Sequence, residues 1–293
     1  MKSFSEYHPA VLIVYFISVL ITAMFISHPI ILFLSLAGSV LFCSFLLKRN
    51  DFIKMISFYL PLLFLILITN PLISHNGITP LFFLNGNPIT LEAVMYGINI
   101  ALMLVTVLIW FKCYNEVMTS DKFIYLFGKA VPKLSLLLSM ILRYIPMLKR
   151  QIKKVNNAQK AMGLYTSDSY FDKLKKGINV FSSLVTWSLE NSIETSMSMK
   201  ARGYGLKGRT SYSMFSFKKR DLFLLSSVIL LWVVVLLGSF FNQLEFFFYP
   251  SISEINKSVF AVLCYISYGI LVILPFINEL KENIKWKYYV SRI

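Results

Sequence analysis

Three sets of residues in this 293-residue chain have types that could do chemistry. The first is Gly203-Tyr204-Gly205-Leu206-Lys207-Gly208-Arg209-Thr210, which has the spacing of a phosphate-binding loop except that Arg209 stands where a lysine is needed. Such a loop holds phosphate on backbone amides between a strand and a helix. Here the preceding residues have helical periodicity and the run to Arg220 is polar and basic. Nucleotide binding by this chain is therefore not expected. The second set is Cys43, Cys113 and Cys264, far apart and without paired spacing. They read as separate buried thiols. The third is His8, His28 and His75, each isolated. His28 and His75 fall in loops on the same side of the topology derived below, but two imidazoles alone are a poor metal site, and none is expected. With no nucleophile motif and no carboxylate pair, the chain is not expected to be catalytic or to hold a cofactor of its own.

The elements that carry these residues are set by composition. Hydrophobic residues make up 57% of the chain and charged residues only 15%, with a mean hydropathy of +0.67. A soluble domain has about 25% charged residues, so the expected solvent is a bilayer. Six windows, 10–26, 30–47, 55–73, 93–111, 222–241 and 259–277, contain no Asp, Glu, Lys, Arg or His. Each is about the length that crosses a hydrocarbon core as a helix. Pro61, Pro71 and Pro275 predict kinks or ends within them. The first window lacks a small-residue cleavage site before the second, so it is read as a retained span. The absence of charge inside the windows argues against a proton or ion relay through the chain.

Basic residues give the orientation. The net charge is +15, and the segment 112–220 alone holds 20 Lys and Arg against 6 Asp and Glu. The loops after the first, third and fifth windows are nearly free of Lys and Arg, whereas those after the second, fourth and sixth are rich in them. The expected arrangement is multi-pass in the cell membrane with both termini cytoplasmic. The fold class is thus an all-α membrane protein of about six transmembrane helices. Its expected parts are helices one to four in 1–111, a cytoplasmic region in 112–220, and helices five and six with a cytoplasmic tail in 221–293.

The cytoplasmic region predicts a short helix over 120–130, broken by Pro132. A long helix follows over 133–161, bent near Pro146 and ended by Gly163. A polar turn is expected at 166–169, then a second long helix over 170–202, ended by Gly203 and Gly205. Phe181, Val185, Leu189, Ile193 and Met197 recur at four-residue steps on the second helix, widened by Leu184, Trp187 and Met199. Such a stripe packs on another helix, lies against lipid or meets a partner.

Several short motifs then fall in a fixed order: Asn70-Pro71-Leu72 with His75-Asn76-Gly77; Ile89-Thr90-Leu91-Glu92 leading to Tyr96-Gly97; and Arg143-Tyr144-Ile145-Pro146. After these come Asn157-Ala158-Gln159-Lys160-Ala161-Met162-Gly163 and Met199-Lys200-Ala201-Arg202-Gly203-Tyr204-Gly205. From about residue 9 to 209 the chain resembles the transmembrane T component of energy-coupling factor (ECF) transporters. The resemblance implies that the two long helices are coupling helices. Their ends would dock on two ABC-type ATPase subunits, which carry ATP and Mg. They would also contact a small membrane-embedded substrate-binding subunit that imports a vitamin or a metal ion. It implies an ATPase-coupling motif at Ala201, Arg202 and Gly203, and a degenerate one at Ala161, Met162 and Gly163, where Met162 replaces the arginine. Lys160 does not substitute for it, since it lies about 200° around the helix from Met162. Pro146 is the candidate hinge. No nucleic acid partner is expected. The alternatives are a stand-alone secondary transporter, which would need intramembrane polar sites, and a scaffold without ATPase partners that binds anionic lipid.

Overall fold

The structure is a computed structural model and describes residues 4–74, 76–84, 87–163, 170–206 and 215–291. The expected turn at 166–169, His75 and the residues from Lys207 to Thr210 lie outside the described residues. Among those described, nine α-helices follow a short 3-10 turn at Phe4–Glu6: α1 (Pro9–Phe25), α2 (Pro29–Leu46), α3 (Arg49–Ile73), α4 (Leu91–Val117), α5 (Ser120–Ala130), α6 (Pro132–Ala161), α7 (Tyr170–Ala201), α8 (Lys219–Phe240) and α9 (Val259–Val290). Five of them, α2, α3, α4, α8 and α9, are long and apolar enough to cross a bilayer. The sixth expected span, α1, is apolar and 17 residues long, at the lower end of what a bilayer requires.

The helices start where local chemistry starts them. His8 and His28 each precede a proline at the first helical position, where the missing N–H costs nothing. Each imidazole Nδ1 accepts the backbone N–H two residues on, Ala10 at 3.2 Å and Ile30 at 3.3 Å. The two His-Pro pairs are therefore helix caps. His28 uses its other nitrogen at 3.0 Å from the Tyr265 hydroxyl, which bonds on to the Asn256 carbonyl. Both ring nitrogens are committed, and burial holds His28 neutral down to about pH 4. It has no lone pair left for a metal.

The helices carry their prolines within them and run past the apolar windows. Pro61, Pro146 and Pro275 lie inside continuous helices, and Pro71 precedes the end of α3 by only two residues. A proline interrupts one backbone hydrogen bond, but the packed helix around it continues. The apolar windows also stop short of the helices. α4 runs on through Lys112 and Glu116, and α9 continues through Glu279, Lys281 and Lys285 to Val290. Charge ends the apolar window without ending the helix.

Between α3 and α4 is a hairpin that the windows did not indicate, with Pro80–Leu84 (β1) pairing antiparallel to Asn87–Thr90 (β2). Its signal was the Asn85-Gly86 pair between apolar runs. The hairpin is tied to the start of α4, where Glu92 accepts the Thr79 hydroxyl at 2.9 Å and Leu91 N–H bonds the Thr79 carbonyl at 3.0 Å. Asn70 donates to the Ala93 carbonyl at 2.9 Å. Gly97 sits where a Cβ would meet the Leu67 carbonyl and the Asn70 side chain, each at 3.2 Å. The motifs at Asn70, Glu92 and Gly97 thus form one close crossing of α3 and α4.

The chain divides into two compact units, Met1–Phe123 with Phe215–Ile293, and Ile124–Met214. In the first, α4 packs on α1, α2 and α3, while α9 packs on α2 and α8. Its centre is aromatic: Phe4, Tyr15, Phe16, Phe42 and Trp110 are essentially fully buried and meet largely edge to face. By contrast, only 6% of the most apolar stretch of α3 is buried. That helix meets α4 along one face and leaves most of its other side chains exposed, as suits lipid.

The N-terminal residues clasp this unit at the points where the chain leaves and rejoins it. Lys122 on α5 is buried, and its ammonium donates to the Ser5 carbonyl, to Ser5 Oγ at 2.9 Å and to the Val117 carbonyl at the end of α4 at 2.9 Å. Burial, with no carboxylate among these acceptors, pushes its pKa down to about 8. Phe4 N–H donates to buried Glu279 of α9 at 2.9 Å. On the return side, Asp221 of α8 accepts from the N–H of Lys218 at 2.9 Å and of His8 at 3.4 Å. Arg220 stacks over the Tyr7 ring at 4.4 Å.

Candidate functional site

The second unit is built on α6 and α7, and the residues singled out by sequence lie at the ends of these helices. α6 ends at Ala161, with Met162 as its cap and Gly163 in the left-handed region at φ +68°. Gly163 N–H returns to the Lys160 carbonyl at 3.1 Å. α7 ends at Ala201, with Arg202 next and Gly203 left-handed at φ +75°. Gly203 N–H returns to the Lys200 carbonyl at 2.9 Å, and Tyr204 N–H to the Met199 carbonyl at 2.9 Å. The paired bonds after α7 are a Schellman closure, which glycine permits because it has no Cβ to clash at positive φ.

The two ends are therefore one construction used twice. Lys160-Ala161-Met162-Gly163 and Lys200-Ala201-Arg202-Gly203 each place a lysine in the last turn, where a cation complements the helix dipole. Each is followed by a small residue, a variable capping residue and a left-handed glycine. Met162 occupies the position that Arg202 occupies in the other end. Both are exposed, Met162 at 65%. Among the described residues, the Arg202 guanidinium makes no hydrogen bond or ion pair. Five donors in a fixed plane are thus held on a rigid helix end, ready for a carboxylate or for helix-end carbonyls.

α6 and α7 touch through a narrow contact. Tyr144 and Trp187 approach with ring centroids 6.5 Å apart, and Gln159 and Val180 are the residues buried on their helices. The four-residue stripe of α7 is left uncovered, with Phe181 at 68% and Met197 at 66% exposure. Packing between the two helices, one of the readings open from sequence, accounts for Trp187 but not for the stripe. Pro146 lies two residues beyond Tyr144 inside α6, and the Arg150 guanidinium reaches back to its carbonyl at 3.4 Å. The missing N–H of Pro146 leaves one turn of α6 without its backbone bond next to this contact.

Cys43 of α2, Cys113 of α4 and Cys264 of α9 are buried free thiols, as read from the sequence. The Cys43 thiol donates to Met55 Sδ of α3 at 3.3 Å, and Cys113 lies 3.9 Å from the Ser39 carbonyl of α2.

Known proteins resemble the chain over much of its length. The family description "CbiQ: Cobalt transport protein" matches residues 7–212. A protein from Lactococcus lactis subsp. cremoris described as "Energy-coupling factor transporter transmembrane protein EcfT" is 33% identical over 111 residues, which is 37% of this chain and 42% of that protein. Proteins of the same description from Lactobacillus helveticus and Listeria innocua are each 36% identical, over 108 and 103 residues. In each pairing the chain spans about two fifths of the length of the curated relative, 39% for the latter two.

Proposed function

The chain belongs to the CbiQ cobalt transport protein family and is a multi-pass transmembrane component of the energy-coupling factor type, and from this premise we propose that it is a mechanical coupler. It links two ABC-type ATPase subunits to a separate small substrate-binding subunit in the membrane. The observation that carries this reading is the pair of matching helix ends, each exposed, closed by a left-handed glycine and presenting one capping side chain. Two equivalent ends on one unit suit two similar partners. The Arg202 end offers a charge-assisted contact and the Met162 end an apolar one. ATP and Mg belong to the ATPases, and this chain contributes no catalytic group and binds no cofactor.

In this mechanism the ATPases close on ATP, and the helix ends seated on them move with them. α6 and α7 carry the motion, with Pro146 as the compliant turn. The uncovered stripe of α7 gives the substrate-binding subunit a surface to follow. Coupling requires an element with two arrangements that both partners bias. The narrow Tyr144–Trp187 contact lets the two helices change their crossing without disrupting a core. The cargo, a vitamin or a metal ion, is chosen by the substrate-binding subunit. In this reading the helix ends and both termini face the cytoplasm.

Purification in mild detergent with identification of the co-purifying chains tests the assignment. Two ATP-binding subunits and one small membrane protein are expected. Recovery of the chain alone, with transport driven by an ion gradient, would overturn it.

A further inference from the structure

An open recess of about 370 Å³ lies among α2, α3 and α4 in the first unit. Its floor is apolar: Leu47 caps the end of α2, and Met55, Phe58 and Tyr59 belong to the first half of α3. The Cys43 thiol of α2 donates to Met55 Sδ at 3.3 Å and closes the floor, where Met55 is only 7% exposed. The rim is charged, with Asp51 and Lys54 on α3 and Lys112 and Glu116 on α4. Among the described residues Lys54 makes no hydrogen bond or ion pair. The Lys112 ammonium is 3.9 Å from Glu116, longer than a hydrogen bond, and its side chain is 44% exposed. Two ammonium groups on one recess therefore keep donors to give.

The recess also has a defined depth. On all three helices its residues straddle the step from uncharged to charged chain. α2 is uncharged up to Lys48, α3 is uncharged after Lys54, and α4 is uncharged from Ala93 to Phe111, just before Lys112. As helix, 55–73 and 93–111 each rise about 28 Å at roughly 1.5 Å per residue, close to a hydrocarbon core of about 30 Å. The recess thus opens where headgroups meet acyl chains. It is continuous with the lipid-facing side of α3, where Phe58 is 66% exposed. Basic pockets between transmembrane helices bind lipid headgroups. The charges on the rim balance, two cations to two carboxylates, so phosphate alone does not match it. A headgroup with a phosphate and, beyond it, an N–H or O–H donor does. We propose that the recess binds one such glycerophospholipid. Lys54 and Lys112 hold its phosphate, Asp51 and Glu116 accept from the headgroup donor, and the top of an acyl chain lies along Phe58. Ethanolamine and glycerol headgroups qualify, whereas choline has no N–H or O–H to give. The site lies within the first unit and is independent of the coupling function.

The test uses the full chain, delipidated in detergent and titrated in native mass spectrometry with phosphatidylglycerol, phosphatidylethanolamine or phosphatidylcholine of the same acyl chains. The first glycerol or ethanolamine lipid is expected to bind at least tenfold more tightly than those that follow, and choline lipid to show no such step. Lys54→Gln and Lys112→Gln should each weaken that first binding about fivefold, at ~1 kcal/mol for each lysine near the headgroups. The double variant should weaken it more than tenfold, and Lys285→Gln not at all. On wild type, phosphatidylglycerol with a photoreactive group near its glycerol should label residues 47–59 and 112–116 above all others, a readout that does not depend on any variant folding. No distinguished first lipid, equal binding of choline lipid, undiminished binding in the double variant, or labelling spread evenly over the apolar helices would each overturn the proposal. So would displacement of the first lipid by millimolar inorganic phosphate, which would make the recess a free-phosphate site.

Discussion

Replacing Lys122 with methionine tests whether the N-terminal clasp holds the base from which the second unit is reached. Methionine keeps the length of the side chain and removes the ammonium. Three acceptors then lose their donor: the Ser5 carbonyl, Ser5 Oγ and the Val117 carbonyl. A buried acceptor left without a partner costs about 1–3 kcal/mol. Against this stands relief from burying a cation. A fall in pKa from 10.5 to about 8 corresponds to roughly 3.4 kcal/mol. At about 2 kcal/mol for each of the three acceptors, the difference is a net loss of about 3 kcal/mol, concentrated at residues 4–8 and the α4–α5 junction. Thermal unfolding of the full chain in detergent reads the total, and hydrogen exchange at the N-terminal residues reads the location. The pH dependence has a definite sign. The unfolded chain binds the Lys122 proton up to about pH 10.5, whereas the folded chain releases it from about pH 8. Between these values stability rises with pH in wild type relative to Lys122→Met, and below pH 8 the burial cost is constant. Wild-type stability, unchanged exchange at residues 4–8 and no difference in pH slope would refute the reasoning.

Other expectations follow from single contacts. His28→Ala removes both the α2 cap and the bond to Tyr265 and should cost about 1–2 kcal/mol in unfolding measurements. Because the folded state keeps His28 neutral down to about pH 4 while the unfolded state charges near 6.5, wild-type stability should fall as pH drops from 6.5 to 4, and His28→Ala should lose that component. Gly203→Ala places a Cβ at positive φ and 2.9 Å from Leu206 Cδ1. It should loosen the α7 end by about 1 kcal/mol and weaken ATPase co-purification while leaving the amount of chain in the membrane unchanged. Met162→Arg restores the arginine at the α6 end and should slow ATPase dissociation measured after dilution.

Much of the fold was legible because a bilayer imposes simple rules. Uncharged runs located the spans, and Pro132, Gly163 and Gly203 located the ends of α5, α6 and α7 to within a residue or two. What was not legible depended on packing. Charged residues beyond each window, such as Lys112 and Lys285, hid the extensions of α4 and α9. The Asn-Gly pair signalled the hairpin, but hydropathy windows do not register an eleven-residue hairpin. His8 and His28 read only as isolated residues, although the following proline already marked them as caps. The contact of Cys43 with Met55, and the burial of Lys122 against Ser5, arise between residues 12 and 117 positions apart. At the candidate site, the motif residues were visible in sequence. Their use of the same helix closure at Met162 and Arg202 became visible only with the backbone.

The central claim is that the α7 end docks on an ATPase through Arg202. Its most direct test is Arg202→Glu in cells carrying the whole transporter, with ATPase co-purification and substrate uptake measured on the same membranes. An interfacial arginine lost from a buried pair costs about 2–5 kcal/mol. The variant should therefore retain less than a tenth of the ATPase and of the uptake, at an unchanged level of chain in the membrane. Wild-type values for both would contradict the account.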